Sequence, residues 1–338
     1  MVKNLNPTPL VSVLMPTYNG GDYVTTAVHS ILTQTFADFE LIIIDDSSSD
    51  GTIDVLKEIV DPRIQLIFKP VNSGLIDTLN LGLKVAKGKY ILRMDQDDIS
   101  IQNRLEVQLD FMESNPDVVV CGAGYQIIDS NSFFRPSCQH GQLLLDLIDF
   151  CPFAHPTIIM RADFLKNHNI SYNSSYINAE DYKIWTDISH VGRMANLPNI
   201  LLKYRIHESQ MSSRGAIQQM VMSKKISLEH LNFLSGNNEY VDYYLNGSIK
   251  NVSDLKKYLD VELSIKDYFT KNSINADSII FNNRSRKYFQ NVLSNDNFSL
   301  MLFIDRIPLL LQIFNTIGGL FIIKYFIKSI IFWKPVSK

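Results

Sequence analysis

The feature that most constrains this chain is a strict alternation of two textures over its first two hundred residues. Short apolar, β-branched runs are each followed by a longer segment with helical spacing. The runs are VSVLM (Val11–Met15), LIII (Leu41–Ile44), IQLIF (Ile64–Phe68) and YILRM (Tyr90–Met94). The segments are Tyr23–Thr33, Thr52–Val60, Leu75–Ala86 and Arg104–Glu113. Such alternation predicts right-handed βαβ units and a mainly parallel sheet. Strands that are apolar throughout are covered by helices on both faces. The polar clusters PTYNGGD, DDSSSDGT, KPVNSG and DQDD each follow one of these strands. Ligands of open α/β sheets bind beyond the carboxyl ends of the strands, so the four clusters describe one site.

After Val118 the pattern becomes mixed. VVVCGAG, TIIM and ILLKYRIH read as strands, and QLLLDLIDF and EDYKIWTDI as helices. Beyond Ser212 the texture is helical, as in SKKISLEHLNFL and VSDLKKYLDVEL. The expected organisation is a catalytic domain over 1–212, a helical region over 213–300 and a hydrophobic, basic tail over 301–338. In that tail Ile307–Ile323 carries no charge, and Lys324, Lys328, Lys334 and Lys338 follow among aromatic residues. The run is short for a membrane span and interrupted by Gln312, Asn315 and a glycine pair. A helix lying on the inner face of the cytoplasmic membrane is expected. The competing reading packs it on the protein itself or on a second copy of the chain.

Of the 338 residues 46% are hydrophobic and 20% charged, with a net charge of −3. That balance gives no reason to expect nucleic acid as a partner. Three cysteines, Cys121, Cys138 and Cys151, without a CxxC pair, point to reduced thiols rather than a disulfide framework or a zinc site. The N-terminal MVKNLNPTPL lacks the apolar core of a signal peptide, so a cytoplasmic protein is expected.

Several residues can carry chemistry. Asp95 and Asp97 leave a strand at alternate positions and can present hard oxygen ligands for Mg²⁺ or Mn²⁺; an Asp capping the next helix is the plainer reading of such a pair. Asp46 ends an apolar strand where no cap is needed, and can accept a hydrogen bond from a nucleobase or a ribose. Tyr18, in the turn Pro16-Thr17-Tyr18-Asn19, can stack on a base. Asn72-Ser73-Gly74 opens a helix whose free N–H groups can receive an anion. Glu180 and Asp181 decorate a helix N-terminus, which the helix dipole favours in any case. Arg205 can grip phosphate, His207 can bind phosphate or metal, and Trp185 is a sugar platform or a core residue.

Together VSVLMPTYN, IIIDDSSSDGT, NSG and AKGKYILRMDQDD resemble glycosyltransferase family 2 in order and spacing, and NRLEVQ, HPTIIM, AEDYKIW and YRIHESQMS continue the resemblance to about Ser212. The resemblance implies the A-type glycosyltransferase fold and an inverting transfer from a nucleotide sugar, a UDP-sugar in the first instance. The acceptor would be a glycan or lipid-linked sugar of capsule or lipopolysaccharide synthesis. It implies nucleotide contacts from Pro16, Thr17, Tyr18, Asn19, Asp46, Asn72, Gly74, Arg93 and Asp95. Asp97, Asp95 and His207 would hold the metal, and Asp181 would be the catalytic base. Arg205, His207, His155, Glu180 and Trp185 would serve the diphosphate and acceptor. Asp98 has no assigned role. A nucleotidyltransferase on a related sheet would need a basic, glycine-rich loop after the first strand, which PTYNGGD is not. A non-catalytic assembly protein on the same fold has no need of Asp97 or Asp181.

Overall fold

The computed structural model describes residues 8–207, 210, 215–246 and 252–274. The four expected βα pairs are present: β1 (Val11–Thr17) and α1 (Val24–Leu32), β2 (Phe39–Asp45) and α2 (Thr52–Glu58), β3 (Ile64–Phe68) and α3 (Leu75–Val85), then β4 (Tyr90–Arg93). After β4 come a short β5 (Ile99–Ser100), α4 (Arg104–Ser114), β6 (Val118–Ile127), β7 (Phe133–Phe134) and α5 (His140–Asp146). A 3₁₀ turn at His155–Thr157 precedes β8 (Ile159–Arg161), α6 (Ala162–Asn167), α7 (Glu180–Ser189) and β9 (Arg193–Tyr204). Three helices follow: α8 (Ala216–Leu234), α9 (Val241–Asn246) and α10 (Val252–Lys271).

The strands form one sheet in the order β3-β2-β1-β4-β8-β6-β9-β5, with β7 paired to β6. From β3 to β4 every pairing is parallel. The three-residue β8 runs antiparallel to both β4 and β6, while β6 and β9 pair in parallel. Side chains of β1 alternate between two apolar layers, as the period of a strand requires. Val11, Val13 and Met15 enter a layer with Ala27, Val28 and Ile31 of α1 and Leu105, Leu109 and Met112 of α4. Leu14 enters the opposite layer with Leu79 of α3, Leu143 of α5 and Ile184, Trp185 and Ile188 of α7. Helices thus cover both faces.

The chain divides into compact units of residues 1–227 and 228–338, the division falling inside α8. The boundary expected near Ser212 lies in a stretch outside the described residues. In the second unit the rings of Tyr244 and Tyr258 stack at 4.6 Å, and both hydroxyls donate to the buried carboxylate of Glu262. Among the described residues no helix is long and apolar enough to cross a membrane; the tail at 301–338 lies outside them. Cys121, Cys138 and Cys151 are free thiols.

The entry to β4 is pinned by backbone. Gly88 N–H donates to Ser12 Oγ at 2.8 Å, and a Cβ on Gly88 would stand 2.5 Å from the Ser12 backbone nitrogen. No side-chain rotation can relieve that contact. Gly88→Ala is therefore expected to destabilise the protein by about 1–3 kcal/mol, the usual cost of overpacking, read as a lower midpoint in urea unfolding.

Candidate active site

The loop after β1 is held open by the loop after β2. Asn19, at φ 47°, donates its N–H to Ser48 Oγ at 2.8 Å and accepts the Ser49 N–H on its side chain at 2.9 Å. The N–H groups of Gly20 and Gly21 both reach Thr52 Oγ1, at 2.8 and 3.2 Å. Asp45, beneath them, accepts from the Ser48 amide and hydroxyl and from Thr17 Oγ1. Tyr18 is left about half exposed. Its peptide is fixed from the other side, because Gln96 accepts the Tyr18 N–H at 2.9 Å and donates to the Tyr18 carbonyl at 3.0 Å. The residue between the two aspartates of the acidic motif thus ties that motif to the loop after β1.

Asp46 is tied into the fold. Its carboxylate accepts the Ser73 and Gly74 N–H groups at 3.0 and 2.7 Å and pairs with Lys69 Nζ at 2.6 Å. It therefore holds the turn ahead of α3 across 27 residues of sequence. The amides of that turn are engaged by Asp46, while α3 itself has no side-chain cap. Gly74 takes φ 91°, a conformation open to glycine, to present its amide.

The acidic motif sits among cations and is still short of positive charge. Asp95, Asp97 and Asp98 each bring one oxygen into a cluster whose atoms lie within 4.8 Å of one another. Asp95 pairs with the buried Arg93. Asp97 Oδ2 meets His207 Nε2 at 2.8 Å. Asp98, buried, accepts the Arg205 N–H on Oδ1 at 2.9 Å, while its buried Oδ2 has no hydrogen-bond partner. Arg205 also donates from Nε to the Asp97 carbonyl at 2.9 Å, and its guanidinium lies 4.4 Å from the centre of the Tyr23 ring. Behind the cluster Arg104 is wholly buried and donates to the Arg93 carbonyl at 2.8 Å; burial, and then Arg93, lowers its guanidinium to about 9. Burial nonetheless pushes Asp95 above the usual carboxylate range, and Asp98 well above it. An orphaned buried oxygen among three carboxylates, with an imidazole nitrogen beside them, fits a hard divalent cation.

Asp181, at the start of α7, is half-buried and is pushed up by burial, and its charge is a small contribution to raising Asp95. Asp181 Oδ1 accepts its own helix's Tyr182 N–H at 2.7 Å. Glu180 is buried, and burial followed by the charge of Asp181 raises it to about 7. His155 is buried with Nε2 2.8 Å from the Tyr172 hydroxyl, and burial holds it well below the usual imidazole range. Tyr172 is anchored in turn by Asn80 of α3, which exchanges two hydrogen bonds with its backbone at 2.8 and 2.9 Å. Trp185 is fully buried against Phe153 and His155. It is a core residue, so the sugar-platform expectation is corrected.

A cavity of about 950 Å³ opens over these strand ends. Pro16, Thr17, Tyr18, Asn19, Asp46, Asn72, Gly74, Arg93, Asp95, Asp97 and His207 line it, while His155, Glu180, Asp181, Trp185 and Arg205 do not. Its wall also holds Tyr23, Gln96, Asn178, Tyr204, Gln210 and Gln218, which sequence reading missed. Lys69 carried a readable signal, as the one cation in the polar cluster after β3. Asn178, at φ 67°, and Gln218 carried none, since they meet only through the fold, at 3.3 Å.

The model of glycosyl transferase family 2 matches residues 12–185. A Haemophilus influenzae protein described as an uncharacterized glycosyltransferase is 31% identical, over 95% of this chain and 98% of its own. The Escherichia coli UDP-Glc:alpha-D-GlcNAc-diphosphoundecaprenol beta-1,3-glucosyltransferase WfgD is 32% identical over 60% of this chain and 80% of its own. Among solved structures, residues 1–349 of S. aureus TarS in complex with UDP-GlcNAc superpose with a TM-score of 0.53 at 18% identity, covering 80% of this chain and 85% of that one.

The raised Glu180 carboxyl has a measurable consequence. The folded state holds a proton on Glu180 up to about pH 7, whereas the group's ordinary value is 4.5. Between those values the folded state binds more protons than the unfolded one, so stability falls as pH rises. The loss is at most ~3 kcal/mol. Urea unfolding from pH 5 to 8 should therefore weaken the native protein more than Glu180→Gln.

Proposed function

This chain belongs to glycosyl transferase family 2 and is a glycosyltransferase, and from that premise we propose an inverting, metal-dependent transfer of a hexosyl group from a UDP-sugar to a hydroxyl of a glycan or lipid-linked acceptor. The observation that carries the reading is one cavity lined by Asp95 and Asp97, whose cluster with Asp98 holds an unpartnered buried oxygen. A cavity of about 950 Å³ has room for a nucleotide sugar and an incoming acceptor.

Each residue then has a chemical part. Tyr18 is the stacking face for the base. Asp46 has about four acceptor positions and uses three of them on Lys69, Ser73 and Gly74. The remaining one suits a base that presents a single N–H donor on its edge, as uracil does, rather than the paired ring and amino donors of guanine. WfgD by its name uses UDP-Glc and a diphosphoundecaprenol-linked sugar, which supports the same donor class and a lipid-linked acceptor. Asp95, Asp97 and His207 would hold Mn²⁺ or Mg²⁺, with Asp98 behind them. Such an ion, when bound, neutralises the charge gathering on the leaving diphosphate, so no protein acid is needed for that group. Asp181 accepts the proton of the acceptor hydroxyl while that oxygen attacks the anomeric carbon; the bond to the acceptor forms as the bond to the diphosphate breaks on the opposite side. Burial, which raises the Asp181 carboxyl, makes it the stronger base. Arg93 keeps the charges of Asp95 and Asp181 tolerable together.

His155, Glu180 and Arg205 support this machinery from outside the cavity wall. The reading includes a seat on the inner face of the cytoplasmic membrane, where acceptors of surface polysaccharide synthesis reside.

Two measurements test the proposal. In a thermal-shift screen of nucleoside diphosphates and nucleotide sugars with Mn²⁺, UDP compounds should raise the Tm, since a ligand that binds only the folded state stabilises it. Asp97→Ala should abolish the Mn²⁺-dependent part of that rise. Asp181→Asn should bind the donor as well as the native protein does, with kcat lower by about 10²–10⁴-fold, the usual contribution of a positioned general base. A donor-independent Tm in the first experiment, or an unchanged kcat in the second, would refute the corresponding assignment.

A further inference from the structure

Helix α8 begins at the rim of the cavity, where Gly215 and Gln218 are lining residues. One side of it is anchored inward: Ile226 is buried in the layer that holds Trp185, and Ser227 meets the Tyr182 hydroxyl at 3.1 Å. A surface helix ordinarily turns its apolar residues inward and its polar ones to water. The first turns of α8 do the reverse. Ile217, Met220 and Val221 are 80, 67 and 53% exposed. Their i, i+3, i+4 spacing puts them on one outward face. Lys224 and Lys225, both exposed, continue that face. From Ala216 to Leu228 the helix carries these two lysines and no acidic residue; its first acid, Glu229, lies one turn beyond Lys225. The ammonium of Lys225 lies 4.5 Å from the centre of the Tyr176 ring. Ile177 and Ile206, each one residue from a cavity-lining side chain, are exposed as well.

This combination selects among occupants. Large apolar side chains beside cations, without acids, match the headgroup boundary of an anionic bilayer, where the apolar groups reach the acyl chains and the ammonium groups meet phosphates. A two-fold contact with a second copy would instead bring four lysines into one interface, against a single acid per copy, Glu229, beyond the exposed turns. We propose that the outward face of α8, formed by Ile217, Met220, Val221, Lys224 and Lys225, is the surface by which this protein sits on an anionic lipid bilayer, bringing the mouth of the cavity to the lipid surface. The choice of a bilayer rests on the lipid-linked acceptor of the proposed function.

The test is co-sedimentation of the full chain with phosphatidylglycerol-containing vesicles that hold no acceptor lipid. Two variants are compared with the native protein, Lys224→Glu/Lys225→Glu and Ile217→Ser/Met220→Ser/Val221→Ser. Val60→Ser, at a fully exposed apolar residue of another surface, is the control. A lysine near an anionic surface contributes about a fivefold factor, so the charge variant should partition at least about tenfold more weakly. The serine variant should also lose partitioning, and the control should not. Unchanged partitioning in both variants overturns the proposal and assigns membrane contact to another part of the chain. So does a native dimer in size-exclusion chromatography that the serine variant converts to monomer. UDP-sugar hydrolysis without vesicles should be the same in all forms, which separates loss of the surface from misfolding. If the native protein turns over no nucleotide sugar yet binds vesicles through this face, the proposed function fails and the surface stands.

Discussion

The structure is organised around the repulsion among three carboxylates at the end of one strand. Asp95, Asp97 and Asp98 are within a few ångströms of one another and partly or wholly buried, and such charges are costly without compensation. The fold answers with three cations from three places. Arg93 comes from β4 itself and pairs with Asp95, Arg205 from the segment after β9 gives its backbone N–H to Asp98 and its guanidinium to the Asp97 carbonyl, and Arg104 from the head of α4 holds the Arg93 carbonyl. His207 closes the ring against Asp97. Each of these elements must be in place for the cluster to survive, so the return of the chain from β9 to the acidic loop is part of the site's construction. Asp95 and Asp98 remain raised despite that, which is the electrostatic mark of a site with room for a further positive charge.

Much of the scaffold was legible because burial on both faces leaves a plain signature. β1 to β4 are built around apolar runs, and the sequence places each of their helices within a few residues of where it lies. The direction of β8 was not legible. TIIM reads the same in either direction, and its antiparallel course follows from the turn at His155–Thr157. Nor was the division inside α8, since a continuous helix shows no change of texture where its neighbours change.

The site was legible in its composition and less so in its connections. The polar strand ends do meet in one cavity. Yet Asp46 looked free of structural duty because the amides it holds lie 27 residues away, and a local reading sees only partners a few residues distant. Gln96 looked like a spacer between ligands, whereas its side chain fixes the peptide of Tyr18. Trp185 was offered to a sugar because aromatic rings serve both as platforms and as cores, and only packing separates the two.

The pairing of Gln96 with Tyr18 makes the loop that presents the exposed Tyr18 ring and the loop that presents the carboxylates a single mechanical body. One amide holds both ends of the other loop's peptide, so neither loop can tilt alone without breaking two hydrogen bonds at once. Ordering entropy is then shared: a ligand that stills one loop has already stilled the other. Such linkage is reciprocal, so a nucleotide held by the first loop strengthens whatever the second loop binds, by the same factor in each direction.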